Sequence, residues 1–409
     1  MFNPLRSFTQ AIRTVAISIG ILLLISCNVR LYSSPAEQND YEQIDALLNE
    51  FQAKLERGVA RNMQVLFPEG YYFSYVLYGL SRVNLGLQGI ESERMLAEAR
   101  AAYQALDSEM GRRPFPAELN PPYGIFYQGW RNYLLAGILL LQETPDPDEL
   151  AHFQTQSQQI ANAIAASPHP FLPSYHSQIW PVDTFPAVVS LRAHTRLIDD
   201  RHEPLIEEWL VEIDAYRDPS TDLLPHKINA QSGAMIDGAR ATSQTLMLRF
   251  FAEIDPQRAS VDYARFQEQF VVSRAGLPGV REYPTGINRL GDVDSGPLIT
   301  GVSLSATAVM LGTARVLGDD ALGERLWISA ETIGIPAPTR NGRHYLASTP
   351  FSIGNIFAAW SASSQPWLIS APIQSSSQTP PLWRLPLHIL SLLTLIALAL
   401  WLLRYFKIR

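Results

Sequence analysis

Four carboxylates stand in short loops where chemistry could be done: Asp183, Glu282, Asp292 and Asp294. The densest stretch is Gly291-Asp292-Val293-Asp294-Ser295-Gly296-Pro297, two acids and a serine between glycines, a composition that favours a tight loop with its polar groups turned into a cavity. Carboxylates placed near one another inside a protein can acquire different proton affinities. One then donates a proton to a leaving oxygen while another stays ionised. Glu282, in Arg281-Glu282-Tyr283-Pro284, belongs to the same acid-rich region. The competing reading is that Arg281 or Arg240 neutralises these acids in a structural cluster. In Trp180-Pro181-Val182-Asp183 the proline suits a first helical turn, where the helix dipole favours an anionic Asp183, so this residue is expected to serve as base or ligand anchor rather than as acid.

Other polar and aromatic residues gather in comparable loops. Asp237-Gly238-Ala239-Arg240 opens a predicted helix, with Asp237 as its expected cap. Arg240, Ser243 and Gln244 then fall on one helical face and need partners there, either the loop acids or a substrate. His176 and His226 are the histidines best placed to carry protons. Tyr71, Tyr72, Tyr123, Trp130, Trp180 and Tyr283 supply aromatic faces, and Ser295 a hydroxyl. Aromatic faces combined with acids suit a sugar or a small alcohol.

Several chemistries find no support. Asp292-x-Asp294-x-Gly296 begins like a calcium loop, but its twelfth position is Ser303 where a bidentate glutamate is needed, and there is no His-Glu-x-x-His. No metal and no cofactor are therefore expected. No nucleophile elbow, phosphate loop or dinucleotide fingerprint occurs. A formal charge of -7 without a basic stripe argues against a nucleic-acid partner.

The elements that must position these residues show a regular alternation. Amphipathic segments are predicted at 41–66, 91–106, 148–166, 204–216, 256–272 and 320–333, and segments apolar on nearly every face at 71–85, 123–141, 182–198, 239–254, 298–317 and 351–362. No strand interrupts the series. The apolar helices start about every 50 to 60 residues, a repeat period, and each follows a loop rich in Pro, Gly, aromatics and acids. Helices buried on all sides need helices around them, so six inner and six outer helices predict a closed all-α ring over residues 41–365, the loops into the inner helices meeting at one mouth.

This pattern resembles the six-hairpin (α/α)6 toroid found in glycoside hydrolases, polysaccharide lyases and the linalool dehydratase-isomerase fold. The resemblance implies acid/base chemistry on a C–O bond of a glycan or other hydroxylated small molecule. The alternatives are a hydro-lyase or isomerase of a small alcohol, and a non-catalytic binding or assembly protein at a membrane. Cysteines belong to the linalool enzyme's site, whereas this chain has none after Cys27, so that substrate and reaction do not carry over.

Both ends point to a membrane. Arg6 and Arg13 precede an apolar run to Ile25, and Leu24-Ile25-Ser26-Cys27 resembles a bacterial lipobox. Residues 1–27 are expected to be an export signal, with Cys27 the site of lipidation if the segment is cleaved; an uncleaved anchor is the alternative. Residues 385–404 are long and apolar enough to span a bilayer, with Trp383 and Trp401 near the ends and Arg404, Lys407 and Arg409 following. The expected order is signal, linker 28–40, toroid 41–365, linker 366–384, transmembrane helix 385–404 and cytoplasmic tail 405–409, the main domain lying on the extracytoplasmic side of a bacterial membrane.

Overall fold

A helix that is apolar all round finds its lowest free energy where every face meets another helix, and this chain satisfies six such helices at once by closing a ring. The computed structural model describes residues 4–32, 40–176, 178–348, 352–369 and 379–407. The linkers expected at 28–40 and 366–384 lie in large part outside the described residues, as do the first three residues and the last two.

In chain order the helices are α1 (Pro4–Arg30), α2 (Asp40–Glu56), α3 (Val59–Leu66), α4 (Gly70–Leu87), α5 (Ser92–Leu106), the single turn α6 (Glu109–Arg112), α7 (Gly124–Leu140) and α8 (Pro147–Ala165). They continue as α9 (Phe185–Leu197), α10 (Glu203–Glu212), α11 (Ala241–Ile254), α12 (Pro256–Phe270), α13 (Leu304–Val316), α14 (Asp320–Gly334), α15 (Ile353–Ser363) and α16 (Leu385–Lys407). Helices α4, α7, α9, α11, α13 and α15 each pack on the next, and α15 returns to α4, which closes the inner ring. Outside it α5, α8, α10, α12 and α14 pack on the inner helix that precedes each of them, and α2 covers α15. The fold is an (α/α)6 toroid.

The alternation of patterns has a direct physical counterpart. Every residue of α7 from Gly124 to Leu139 is buried. In the outer α5 the buried residues are Met95, Ala99, Ala102 and Leu106, one stripe at helical spacing. Trp130 of α7 meets Phe250 of α11 and Trp360 of α15 at ring-centroid distances of 5.2 and 5.7 Å, and Phe73 of α4 at 5.7 Å. This aromatic plug fills the ring's interior, and burying each such ring contributes about 2–3 kcal/mol from area alone.

Three expectations need correction. The series is interrupted by strands: β1 (Gln178–Ile179), β2 (Lys227–Asn229) and β3 (Met235–Asp237) form one small sheet. Four more, β4 (Val271–Arg274), β5 (Leu277–Arg281), β6 (Leu298–Ile299) and β7 (Val302–Ser303), form a second, and β8 (Pro336–Pro338) pairs with β9 (Arg343–Tyr345). All lie in connections that lead from an outer helix into an inner one, so they build one end of the ring, the mouth. The apolar run from Leu298 is accordingly a β6–β7 hairpin before it becomes helix. Thr300 and Gly301, at φ 51° and 82°, make the turn, a conformation no helix accommodates. The segment 41–66 is likewise two helices, α2 and α3, broken at Arg57-Gly58.

At the ends of the chain, α1 runs through Cys27, half-buried, whose Sγ donates to the Thr332 carbonyl of α14 at 3.5 Å. Asn28 Nδ2 donates to Ser391 Oγ of α16 at 2.8 Å, and Asn28 Oδ1 lies 2.6 Å from His388 Nδ1. Leu385–Leu402 is, among the described residues, the one helical stretch long and apolar enough to cross a membrane.

Candidate active site

The residues immediately before the inner helices converge at the mouth, because each inner helix begins there. Asp183 lies in a short 3-10 turn, Pro181–Thr184, that leads into α9. It is 9% exposed, and its Oδ2 accepts a 2.6 Å hydrogen bond from Ser174 Oγ. Burial, reinforced by the negative charges of Glu69 and Asp294, pushes its carboxyl up to about 8 in spite of that bond. The expectation of an ionised Asp183 is therefore overturned. No side-chain cap forms at the start of α9, the carboxyl is answered by a hydroxyl and not by backbone N–H groups, and desolvation outweighs the dipole. Since Ser174 donates to Oδ2, the acid proton belongs on Oδ1.

Ser174 is set by α7. Its Oγ accepts from Phe126 N at 3.3 Å, and a Cβ added to Gly124 would stand 2.7 Å from the Ser174 carbonyl oxygen. Tyr123 and Gly124 are both left-handed, at φ 68° and 77°, which turns the chain sharply into α7 and lets the segment carrying Ser174 lie against it.

Asp294 is open to solvent on one side, yet it sits deep enough among acids that desolvation, then Asp292, raises it to about 6. Asp292 behaves oppositely. Against a desolvation that would raise it, the 2.7 Å ion pair with Arg240 and the backbone N–H of Ser295 bring it down to about 2. Arg240 also pairs with the fully buried Glu282 at 2.8 Å, and Thr242 donates to the same Glu282 oxygen at 2.8 Å. Burial nevertheless keeps Glu282 above the ordinary carboxylate range. Arg281 takes no part in neutralising these acids. Its guanidinium donates to Ile287 O and Asn288 Oδ1.

The acids thus divide. Glu282 and Asp292 are tied to Arg240 as a structural wall, whereas Asp183 and Asp294 form no ion pair among the described residues. His226 stands against that wall, 2.6 Å from Ser243 Oγ and 3.4 Å from Arg240 Nη1. Burial and the arginine push it down to about 3, so it is a neutral imidazole and not the proton carrier expected. Tyr283 packs beneath Arg240 and Arg289, whose guanidinium carbons lie 5.3 and 5.6 Å from its ring. Trp180 lies edge-to-face with Tyr175 at 6.1 Å, with the Lys227 ammonium 4.9 Å from its ring.

Other predicted residues fall elsewhere. Asp237 lies in β3, paired with Arg289 at 3.3 Å and Arg240 at 3.7 Å, and does not cap α11. No side chain caps α11, and Asp218 accepts from Ala239 N at 3.0 Å in the approach to it. Tyr72 and Trp130 are buried in the aromatic interior. Gln244 is spent on the Leu224 carbonyl at 2.6 Å, and Ser295 on its own loop, accepting from Asp292 N at 2.9 Å. His176 is an exposed rim residue 2.9 Å from Glu118. Tyr71 and Tyr123 are half-buried beside Tyr75 and Tyr127.

Two residues of the mouth escaped sequence reasoning. Glu69 directly precedes α4, and Tyr175 donates a short hydrogen bond to its Oε1. Glu69 raises both Asp183 and Asp294, and burial holds the Tyr175 phenol well above its usual range. The available signal was positional, since Glu69 holds the place before an inner helix that Asp183 nearly holds before another. A cavity of about 560 Å³ opens at the opposite end of the ring, lined by Arg192, Glu203, Glu207 and Glu253 among others. Arg192 pairs there with Glu203, and Glu253 accepts the backbone N–H groups of Trp367 and Leu368, so these charged groups have partners within their own end of the ring.

No protein-family model matches the chain, and no curated protein does. Among solved structures it is similar to a GH76 α-mannanase of Bacteroides thetaiotaomicron, at 12% identity over 71% of this chain and 84% of that one, TM-score 0.45. It is also similar to a family 105 glycoside hydrolase of C. acetobutylicum ATCC 824, at 13% identity over 70% of this chain and 93% of that one, TM-score 0.46.

Proposed function

We propose that the mouth cleaves a C–O bond of a glycan by carboxylate acid/base catalysis, in a protein held at the membrane by α16. The observation that carries this reading is the buried, cation-free Asp183 facing the charges of Glu69 and Asp294. At neutral pH Asp183 is the proton donor, delivering its Oδ1 proton to the leaving oxygen. Asp294, titrating about two units lower, is the ionised partner that activates water or stabilises developing positive charge. Glu69, fixed by Tyr175, keeps the donor protonated through its charge. Arg240, Glu282, Asp292 and His226 hold the wall in place. The half-buried Trp180, edge-on to Tyr175, offers the apolar surface on which a sugar face stacks, which favours a glycan over a small alcohol.

The test is turnover by full-length protein in detergent, measured as reducing-end release from a panel of α- and β-linked oligosaccharides. Asp183→Asn and Asp294→Asn are each expected to cost about 10²–10⁴-fold while the circular dichroism spectrum is unchanged. Wild-type protein that binds oligosaccharides by calorimetry without cleaving any would instead identify a binding protein, and full activity in both variants would remove these residues from the reaction.

A further inference from the structure

The end of the ring that carries the acids is also the end at which the membrane helix is rooted. Inner helix α13 runs away from the mouth and outer helix α14 returns to it, so the last turn of α14 lies at the mouth end. That turn is where α1 docks, through Cys27 on Thr332 O and through Arg30, whose guanidinium donates to the carbonyls of Glu331 and Pro336 at 3.4 Å each. Leu31, Leu277, Ile328 and Trp383 form one buried cluster that joins the end of α1, β5, α14 and the approach to α16. The β4–β5 turn, Ala275-Gly276, lies beside the first turns of α16, with Ala275 lining an apolar groove shared with Leu385, Pro386 and Ile389. Strand β5 then leads directly from this root to Glu282. Five residues at about 3.3 Å each place the acid wall only about 16 Å from the point where α16 leaves the domain.

The loop that closes the mouth beyond β5 exposes apolar side chains that a water-facing loop has no reason to carry. Leu290 is 90% exposed, Val293 70% and Ile299 58%, and Ile236 of the neighbouring β3 is 56% exposed. Val293 stands between the two acids Asp292 and Asp294. Exposed apolar residues clustered around a site mark a surface that meets another apolar phase. Here that phase is supplied by the chain's own anchor, since the root of α16 and this lip share one end of the ring.

We infer that the lip around Leu290 and Val293 rests on the bilayer in which α16 is embedded, and that the mouth takes a lipid-anchored glycan presented from that surface. The substrate half of this inference rests on the acid/base reading above; the membrane half does not.

Both halves are tested with full-length protein in phosphatidylethanolamine–phosphatidylglycerol nanodiscs. In a Cys27→Ser background, single cysteines at Leu290→Cys and, at the far end of the ring, Glu143→Cys receive the same fluorophore, and lipids bearing a nitroxide quencher are introduced. Quenching at 290 should exceed that at 143 several-fold; quenching at 290 no greater than at 143 overturns the inference. An oligosaccharide on a lipid anchor in the same nanodisc should be cleaved at least tenfold faster than the same oligosaccharide free in solution. Leu290→Ser with Val293→Ser should abolish that advantage while leaving the free rate unchanged. Equal rates for the two substrates overturn the substrate half. Strong quenching at 290 with neither substrate cleaved keeps the membrane contact and refutes the acid/base reading instead.

Discussion

Replacing Asp183 by Asn removes a group that holds its proton differently in the folded and unfolded chain. Unfolded, the carboxyl titrates at its ordinary 3.8; folded, burial and then the neighbouring acids move it to about 8. Between these values the native state must keep a proton that the unfolded chain releases, so wild-type stability falls as pH rises through this window and levels off above about pH 8. At about pH 7 roughly three units of the window have been crossed, which at ~1.4 kcal/mol per unit is about 4 kcal/mol. Asparagine never ionises, and its carbonyl still accepts the Ser174 hydrogen bond. Asp183→Asn is therefore expected to match wild type near pH 3 and to exceed it by about 4 kcal/mol near pH 7. For a domain of this size that is a melting-temperature gain of roughly 6 °C. Thermal and urea unfolding of both full-length proteins in detergent across this pH range measures it. A stability difference that stays constant with pH, or one that favours wild type more as pH rises, refutes the account, because an ionised and stabilised carboxylate gives the latter sign.

The wall gives a complementary prediction: Arg240→Met leaves the fully buried Glu282 without its cation and should cost about 3–5 kcal/mol in urea unfolding, much of it restored by adding Glu282→Leu. The pH profile of kcat/KM should be bell-shaped, falling below about pH 6 as Asp294 gains a proton and above about pH 8 as Asp183 loses one. Glu69→Gln removes a negative charge that raises Asp183, so the alkaline limb of that profile should move to lower pH with the fold intact. Gly124→Ala places a Cβ against Ser174 O at a left-handed position and should cost about 1–2 kcal/mol of stability. Its activity loss should exceed that of a destabilising core change of equal size, because Ser174 orients the acid.

The ring was legible in the sequence because its physics is written in periodicity. A helix such as α7, buried on every face, cannot look like α5 with its single apolar stripe, and the alternation of the two forces closure. The strands were not legible, since pieces of two to five residues are too short to carry a period, and the run from Leu298 is equally apolar as hairpin and as helix. At the site, residue types were readable and pairings were not. Arg240 and Arg281 were both available to neutralise the acids, and the choice of Arg240 comes from the start of α11 lying against the residue after β5, where Ala241 N donates to the Glu282 carbonyl. Asp183 was misjudged because its position in a first turn is local, whereas its burial comes from Ser174 and the closing of the ring. Glu69 and Tyr175, more than a hundred residues apart, meet only because α4 and α9 both begin at the mouth.

The central claim is a neutral Asp183 among ionised acids, and pH-dependent infrared difference spectroscopy on full-length wild type minus Asp183→Asn tests it most directly. The account predicts a protonated-carboxyl carbonyl band that persists at about pH 7 and disappears through about pH 8. A carboxylate signal from Asp183 already present at about pH 5 would contradict it.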